Sequence, residues 1–331
     1  MSIVPSTQMP IVVCALIPQE TAILQILTDL GCSPSVLSNG QVVGQLGEVT
    51  VLPVLHDRIE ESVVLASDAV VLVIDGNLGL SPLVIDTWRT VSDWDIPRQI
   101  SVVNSVTGRA DFDEVVAICE RVLEESLVVR YLPLENDDSS GVDGIYDILT
   151  SELHVRTHDG HTVRSAEPEH VALTAEKREV LIEDIAHSAM SDDQLANLAN
   201  GMPISIPAVE HAWITSGLVN VAPIDDGISA HVFATWLLNL EARWLPMVHG
   251  GDDMFSVEDL PFALGIGIGK GVARVWNRDR AIVLERVHGK NSPVTTDDFV
   301  VRSGLAFASS IRQGDAIRPA GTELKLTEPR F

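Results

Sequence analysis

The first 130 residues alternate apolar runs with amphipathic stretches, and this alternation constrains the fold more than any other feature. "IVVCALI" (Ile11–Ile17) leads into a helical stretch from Gln19 to Leu30 that Gly31 ends. "VTVLPVL" (Val49–Leu55) leads into a short helical stretch near Glu60 to Ala66, and "AVVLVID" (Ala69–Asp75) into a helix over Pro82 to Ser92. "ISVVN" (Ile100–Asn104) precedes a helix from Asp111 to Ser126, and "LVVRYLPL" (Leu127–Leu134) reads as the next strand. Continuous apolar strands separated by helices predict a mostly parallel sheet covered on both faces.

The pattern then changes. "ENDDSSGVDG" is a loop by composition, and "ELHVRTHDGHTVRS" (Glu152–Ser165) alternates about Asp159-Gly160, a hairpin signal. A helix is expected from Thr174 to His187, and "SDDQLANLANG" as a further one with Ser191 as N-cap. "GLVNVAPI" (Gly217–Ile224) reads as another core strand and "ISAHVFATWLLNLE" (Ile228–Glu241) as the helix that closes the domain. After Pro246, short strands with Gly and Asp turns suit a small β-barrel.

Charge narrows the partners. Residues 1–240 carry 10 Lys and Arg against 35 Asp and Glu, whereas 241–331 carry 12 against 12. The acidic part repels a phosphate backbone, so nucleic-acid contact is expected only through the carboxyl-terminal barrel. No apolar run is long enough to span a bilayer and the amino terminus lacks a basic-then-apolar pattern, which points to the cytoplasm. The three cysteines, Cys14, Cys32 and Cys119, read as reduced, buried thiols.

The stretch "SDAVVLVIDGNLGLSPLVIDTWRTVSDWDIPRQISVVNSVTGRADFDEVV" (Ser67–Val116) resembles the centre of translational GTPases of the elongation-factor-G type. The resemblance extends through "YLPL…GVDGIYDIL", "EKREVLIEDIAHSAMSDDQL" and "GLVNVAPI", and ends in a shortened tail where "LERVHGKN" and "SSIRQGDAI" are similar to strands of that family's second-domain barrel. It implies a P-loop-NTPase-like α/β core over 1–134 and 217–245, an inserted α+β subdomain over 135–216, and a translation-factor-type β-barrel over 246–331.

The nucleotide residues that the resemblance requires are replaced. Asn104 falls on the Asn that would hold guanine, but Ser105, Val106 and Thr107 follow it, so Thr107 stands where the guanine-reading Asp belongs. At the phosphate turn Pro18 and Gln19 replace Gly and Lys, and Glu20 would repel phosphate. The first lysine of the chain is Lys177, so neither family lysine is present in any register. "PVLHDRI" replaces the metal-binding motif, with His56 and Asp57 as its only candidate survivors. The expectation is a GTPase-like domain without hydrolysis, cofactor or metal, acting as a protein-binding or ribosome-associated module. The alternative is a divergent translation factor with residual GTP binding or GTPase activity.

Two further groups of residues stand out. Lys270, Arg274, Trp276 and Arg286 are the expected partner-binding face of the barrel, since the basic residues concentrate there and Arg and Trp anchor interfaces. His154, His158 and His161 surround the hairpin turn in an arrangement open to zinc, but no fourth ligand is obliged, and a polar hairpin tip is the expected reading.

Overall fold

The computed structural model describes residues 11–240 except 37–41, 48, 60–63, 65–66, 94–95, 137–140, 158–159, 190–208, 210–212, 214–216, 225–228 and 239, and beyond them the backbone of nine short strands between 248 and 319. Of the helix expected near Glu60–Ala66 only Val64, helical and buried, is described, and "SDDQLANLANG" lies outside the described residues.

Strand β1 (Ile11–Ile17) is buried along its whole length, and a 3-10 turn (Glu20–Ala22) connects it to helix α1 (Ile23–Asp29). Strands β2 (Ser33–Val36) and β3 (Val42–Leu46) form an antiparallel pair leading into β4 (Val49–Leu55). Then follow β5 (Ala69–Asp75), α2 (Pro82–Asp93), β6 (Arg98–Val103), α3 (Phe112–Leu123) and β7 (Leu127–Val128). A second sheet consists of β8 (Tyr131–Glu135), β9 (Val142–Asp147), β10 (Glu152–Thr157) and β11 (Gly160–Ser165). Helix α4 (Pro168–Ala189), β12 (Val219–Pro223) and α5 (Ser229–Leu238) complete the α/β part. The main sheet has the order β2-β3-β4-β1-β5-β6-β12-β7, and every pairing from β4 to β7 is parallel.

Strand alternation divides the core in two. Ile11, Val13, Ala15, Val71 and Val73 face a cluster with α1, α5 and the inner end of α4. Val12, Cys14, Leu16, Val70 and Leu72 face a second cluster with α2 and α3. Both faces of the central strands are therefore dry, which is why they read as unbroken apolar runs. The buried Asp68 carboxylate accepts the Val12 N–H at 2.7 Å and pins the start of β1 to β5. Ile145, Tyr146 and Leu153 of the second sheet join the first cluster, so the inserted elements share a core with the main sheet.

The structure corrects several local expectations. "LVVRYLPL", expected as one strand, divides at Val129-Arg130, where Arg130 turns inward to Asp147, and β8 starts at Tyr131. Helix α3 ends at Leu123, not Ser126, because Glu124 takes the left-handed conformation (φ 57°). Its start matches the reading: Asp111 accepts from Glu114 N–H while the Glu114 carboxylate accepts from Asp111 N–H, a capping box. Helix α4 starts at Pro168, six residues before the expected Thr174, Pro being well placed in a first helical turn. The last pair of the hairpin is Thr157 with Gly160, so Gly160 belongs to β11 rather than to the turn.

Beyond 246, strands β13 (Val248–Gly250) and β14 (Asp253–Phe255) pair with each other. Seven others form one antiparallel sheet: β15 (Leu264–Gly269), β16 (Val272–Trp276), β17 (Leu284–Val287), β18 (Thr295–Asp297), β19 (Val300–Arg302), β20 (Leu305–Phe307) and β21 (Ala316–Pro319). Their order is β18-β17-β21-β15-β16-β20-β19.

Candidate functional site

In an open α/β sheet a ligand sits outside the carboxyl ends of the strands, where successive connections leave in opposite directions. Here that point lies between β1 and β5. The chain leaves β1 toward β2, β3 and β4 on one side, and leaves β5 toward β6 on the other.

Two residues, Pro18 and Gln19, separate β1 from the 3-10 turn. Gln19 and Glu20 are exposed, Gln19 makes no side-chain cap, and Glu20 lies 3.7 Å from Arg58 as an exposed ion pair. Pro18 has no N–H to donate to an anion, and the Glu20 carboxylate repels one. The next strand end supplies the cover. The backbone N–H of His56 donates to the Ile17 carbonyl at 3.0 Å, and its ring Nε2 lies 3.2 Å from the Leu16 carbonyl. A carbonyl only accepts, so Nε2 carries the proton. The imidazole thus reaches over the end of β1. Sequence reasoning had only a histidine after a strand to go on and weighed it as a metal-motif survivor; its acceptor comes from a distant strand.

Burial pushes the His56 pKa below its ordinary value, with the Leu16 carbonyl, the Asp57 carboxylate and the Val73 carbonyl opposing. The unfolded chain takes up this proton first, near pH 6.5, while the folded ring resists it. Its contribution is therefore complete above about pH 6.5 and is lost as pH falls toward the lower folded value, with a slope of at most about 1.4 kcal/mol per pH unit. His56→Gln removes that slope. Denaturant unfolding at pH 7.5 and 5.5 should show wild type losing more stability than the variant; equal losses contradict the assignment.

The end of β6 is closed as well. Asn104 has φ 55°, its Nδ2 donates to Asp75 Oδ1 at 2.9 Å, and its carbonyl accepts from Gly108 N–H at 2.9 Å. Asp75 Oδ1 also accepts from Asn77 N–H at 2.8 Å. Asn104 stands where the resemblance places a base-holding Asn, and its amide is engaged by the strand next door. Ser105 is buried beneath the turn, and Thr107 is exposed on it. Gly76 N–H donates to Val103 O at 3.0 Å and Ala110 N–H to Gly76 O at 3.0 Å, tying the loops after β5 and β6 together. A Cβ on Gly108 would lie 2.6 Å from the Asn104 carbonyl and 2.9 Å from Gly76 backbone. Gly108→Ala should cost about 1–3 kcal/mol, since backbone on both sides has to move. Urea unfolding measures this, and a loss no greater than an exposed Gly79→Ala control would refute the packing account.

The other sequence candidates are placed as follows. His154 is buried on β10 opposite Val163, His161 pairs with Arg156, and His158 lies outside the described residues. Among the described residues no group of His, Cys, Asp or Glu has metal-binding geometry. Cys14, Cys32 and Cys119 are free and buried, and burial pushes each thiol to about 12, so none is a ready nucleophile. Lys270 lies outside the described residues. Arg274 pairs with Ile266 and Leu305, and Trp276 with Leu264. One cross-strand row runs Arg274, Ile266, Ala316, Val287, and the adjacent row runs Val275, Gly265, Ile317, Arg286.

No family model matches the chain. It is 27% identical over 158 residues to elongation factor G of Mycoplasma genitalium, covering 46% of this chain and 22% of that protein. It is 32% identical over 167 residues to mitochondrial ribosome-releasing factor 2 of Drosophila yakuba, covering 49% and 22%. It is 29% identical over 279 residues to that factor from Drosophila virilis, covering 80% and 38%. The chain thus spans between about a fifth and two fifths of the length of these relatives. A crystal structure of a Thermus thermophilus protein has the same fold, with a TM-score of 0.63 at 13% identity, covering 95% of this chain and 55% of that one. The chain is distantly homologous to elongation factor G and ribosome-releasing factor 2. Among the described residues no helix is long and apolar enough to cross a membrane.

Proposed function

We propose that this chain is an elongation-factor-G-like pseudo-GTPase, a ribosome-associated or protein-binding module that neither holds nor hydrolyses nucleotide. The observation that carries the reading is the His56 imidazole over the end of β1, beside a connection of only two residues. The engagement of Asn104 by Asp75, Thr107 in place of a base-reading carboxylate, and the absence of lysine before Lys177 support it. In this reading 1–134 and 217–245 form the GTPase-like core, 135–216 the inserted subdomain, and 246–331 a reduced β-barrel.

The partner-binding role goes to that last unit, around Lys270, Arg274, Trp276 and Arg286. The acidic core steers a negatively charged partner such as rRNA or an acidic protein surface toward the balanced tail. Ribosome sedimentation tests this. The full chain should co-sediment equally with and without GTP, less as salt rises, and Arg274→Glu should reduce the bound fraction at least tenfold, about 1.4 kcal/mol. Undiminished binding by Arg274→Glu would move the contact elsewhere. GTP-dependent co-sedimentation would favour the divergent GTP-binding factor.

A further inference from the structure

We propose that Gln99, Ser101 and Asn220 hold an internal water site between the parallel sheet and the layer that covers it. The three side chains are 1%, 0% and 2% exposed. Gln99 Oε1, Ser101 Oγ and both polar atoms of the Asn220 amide have no hydrogen-bond partner among the described residues. Four orphaned polar atoms in one place exceed what scattered imperfections produce, because buried polar groups are nearly always satisfied.

The register brings them together. Gln99 pairs with Asn220 on β12 and Val71 on β5, and Ser101 pairs with Ala222 and Val73. Val71, Val73 and Ala222 belong to the cluster containing Trp213, Ile185 and Phe233, so the polar residues share that face. Gln99 and Asn220 are neighbours across strands about 4.8 Å apart, and Ser101 lies about 6.6 Å further along β6. A water oxygen among them is within reach of all three.

The chemistry selects the ligand. Gln99 Oε1 accepts, the Ser101 hydroxyl donates and accepts, and the Asn220 amide does both. No member of the trio is ionised, so an ion there would be uncompensated. A water both donates and accepts, and buried waters typically make about three hydrogen bonds.

The test is a high-resolution crystal structure of the full chain, with NMR in solution. The expected result is an ordered water within hydrogen-bonding distance of at least two of the three side chains, and cross-relaxation from the backbone amides of Gln99, Ser101 and Asn220 to long-lived water. Ser101→Val removes one partner, so the cross-relaxation should weaken at least twofold. A direct bond from Asn220 Nδ2 to Gln99 Oε1, or apolar side chains filling the space, would overturn the proposal. So would unchanged cross-relaxation in Ser101→Val.

Discussion

Asp147→Ala should destabilise the α/β part by about 3–5 kcal/mol, because it strips a buried guanidinium of its counter-charge. Arg130 Nε donates to Asp147 Oδ1 at 3.0 Å and Nη2 to Oδ2 at 2.6 Å, with the side chains 5% and 3% exposed. The same carboxylate accepts from Leu149 N–H at 2.9 Å, so its loss also orphans a backbone donor. The guanidinium lies 4.9 Å from the Tyr131 ring centre and 4.8 Å from that of Trp213. It cannot swing to water without opening the packing that joins the second sheet to the main one. Breaking one half of such a pair is far worse than replacing both halves with apolar residues. The Arg130→Met and Asp147→Leu double variant should therefore regain most of the loss in urea unfolding. If Asp147→Ala costs under about 1 kcal/mol, the pair is not the pin described here.

GTP and GDP should show no saturable binding up to millimolar concentration. A base-reading carboxylate, a phosphate-binding lysine and a backbone anion nest each supply a charge-assisted contact worth about 1.5–3 kcal/mol. On the proposed reading the chain lacks all three, which removes roughly 5–9 kcal/mol, about four to six orders of magnitude in affinity. Thr107→Asp alone restores one contact, so it should not restore binding. On the same reading the His56 ring against the end of β1 and the exposed Glu20 carboxylate on the following turn add to the loss.

The α/β core was legible because its signal is local. β4 and β5 fall on their expected residues, since strands buried on both faces read as unbroken apolar runs with β-branched residues. The hairpin of β2 and β3 was missed. "SPSV" and "VVGQL" are short, one carries Pro34 and the other Gly44, and they form strands because β4 offers them an edge. A Cβ on Gly44 would lie 2.8 Å from Cys32 Cβ, so close packing requires the residue that weakens the strand signal. The break at Arg130 was invisible for a different reason: its partner Asp147 is 17 residues away on another strand. At the candidate site, composition shows what is missing, such as lysine, but not what fills the place. The contacts of His56 with Leu16 and of Asn104 with Asp75 span 40 and 29 residues and follow only from strand order.

The most direct test of the central claim is titration calorimetry of the full chain with GTP and GDP in excess Mg²⁺, beside His56→Ala. A closed nucleotide place predicts no saturable heat for either nucleotide with wild type, and none with His56→Ala, since opening the crevice restores neither the lysine nor the base-reading carboxylate. Micromolar, Mg²⁺-dependent binding of GTP to the wild-type chain would contradict the account.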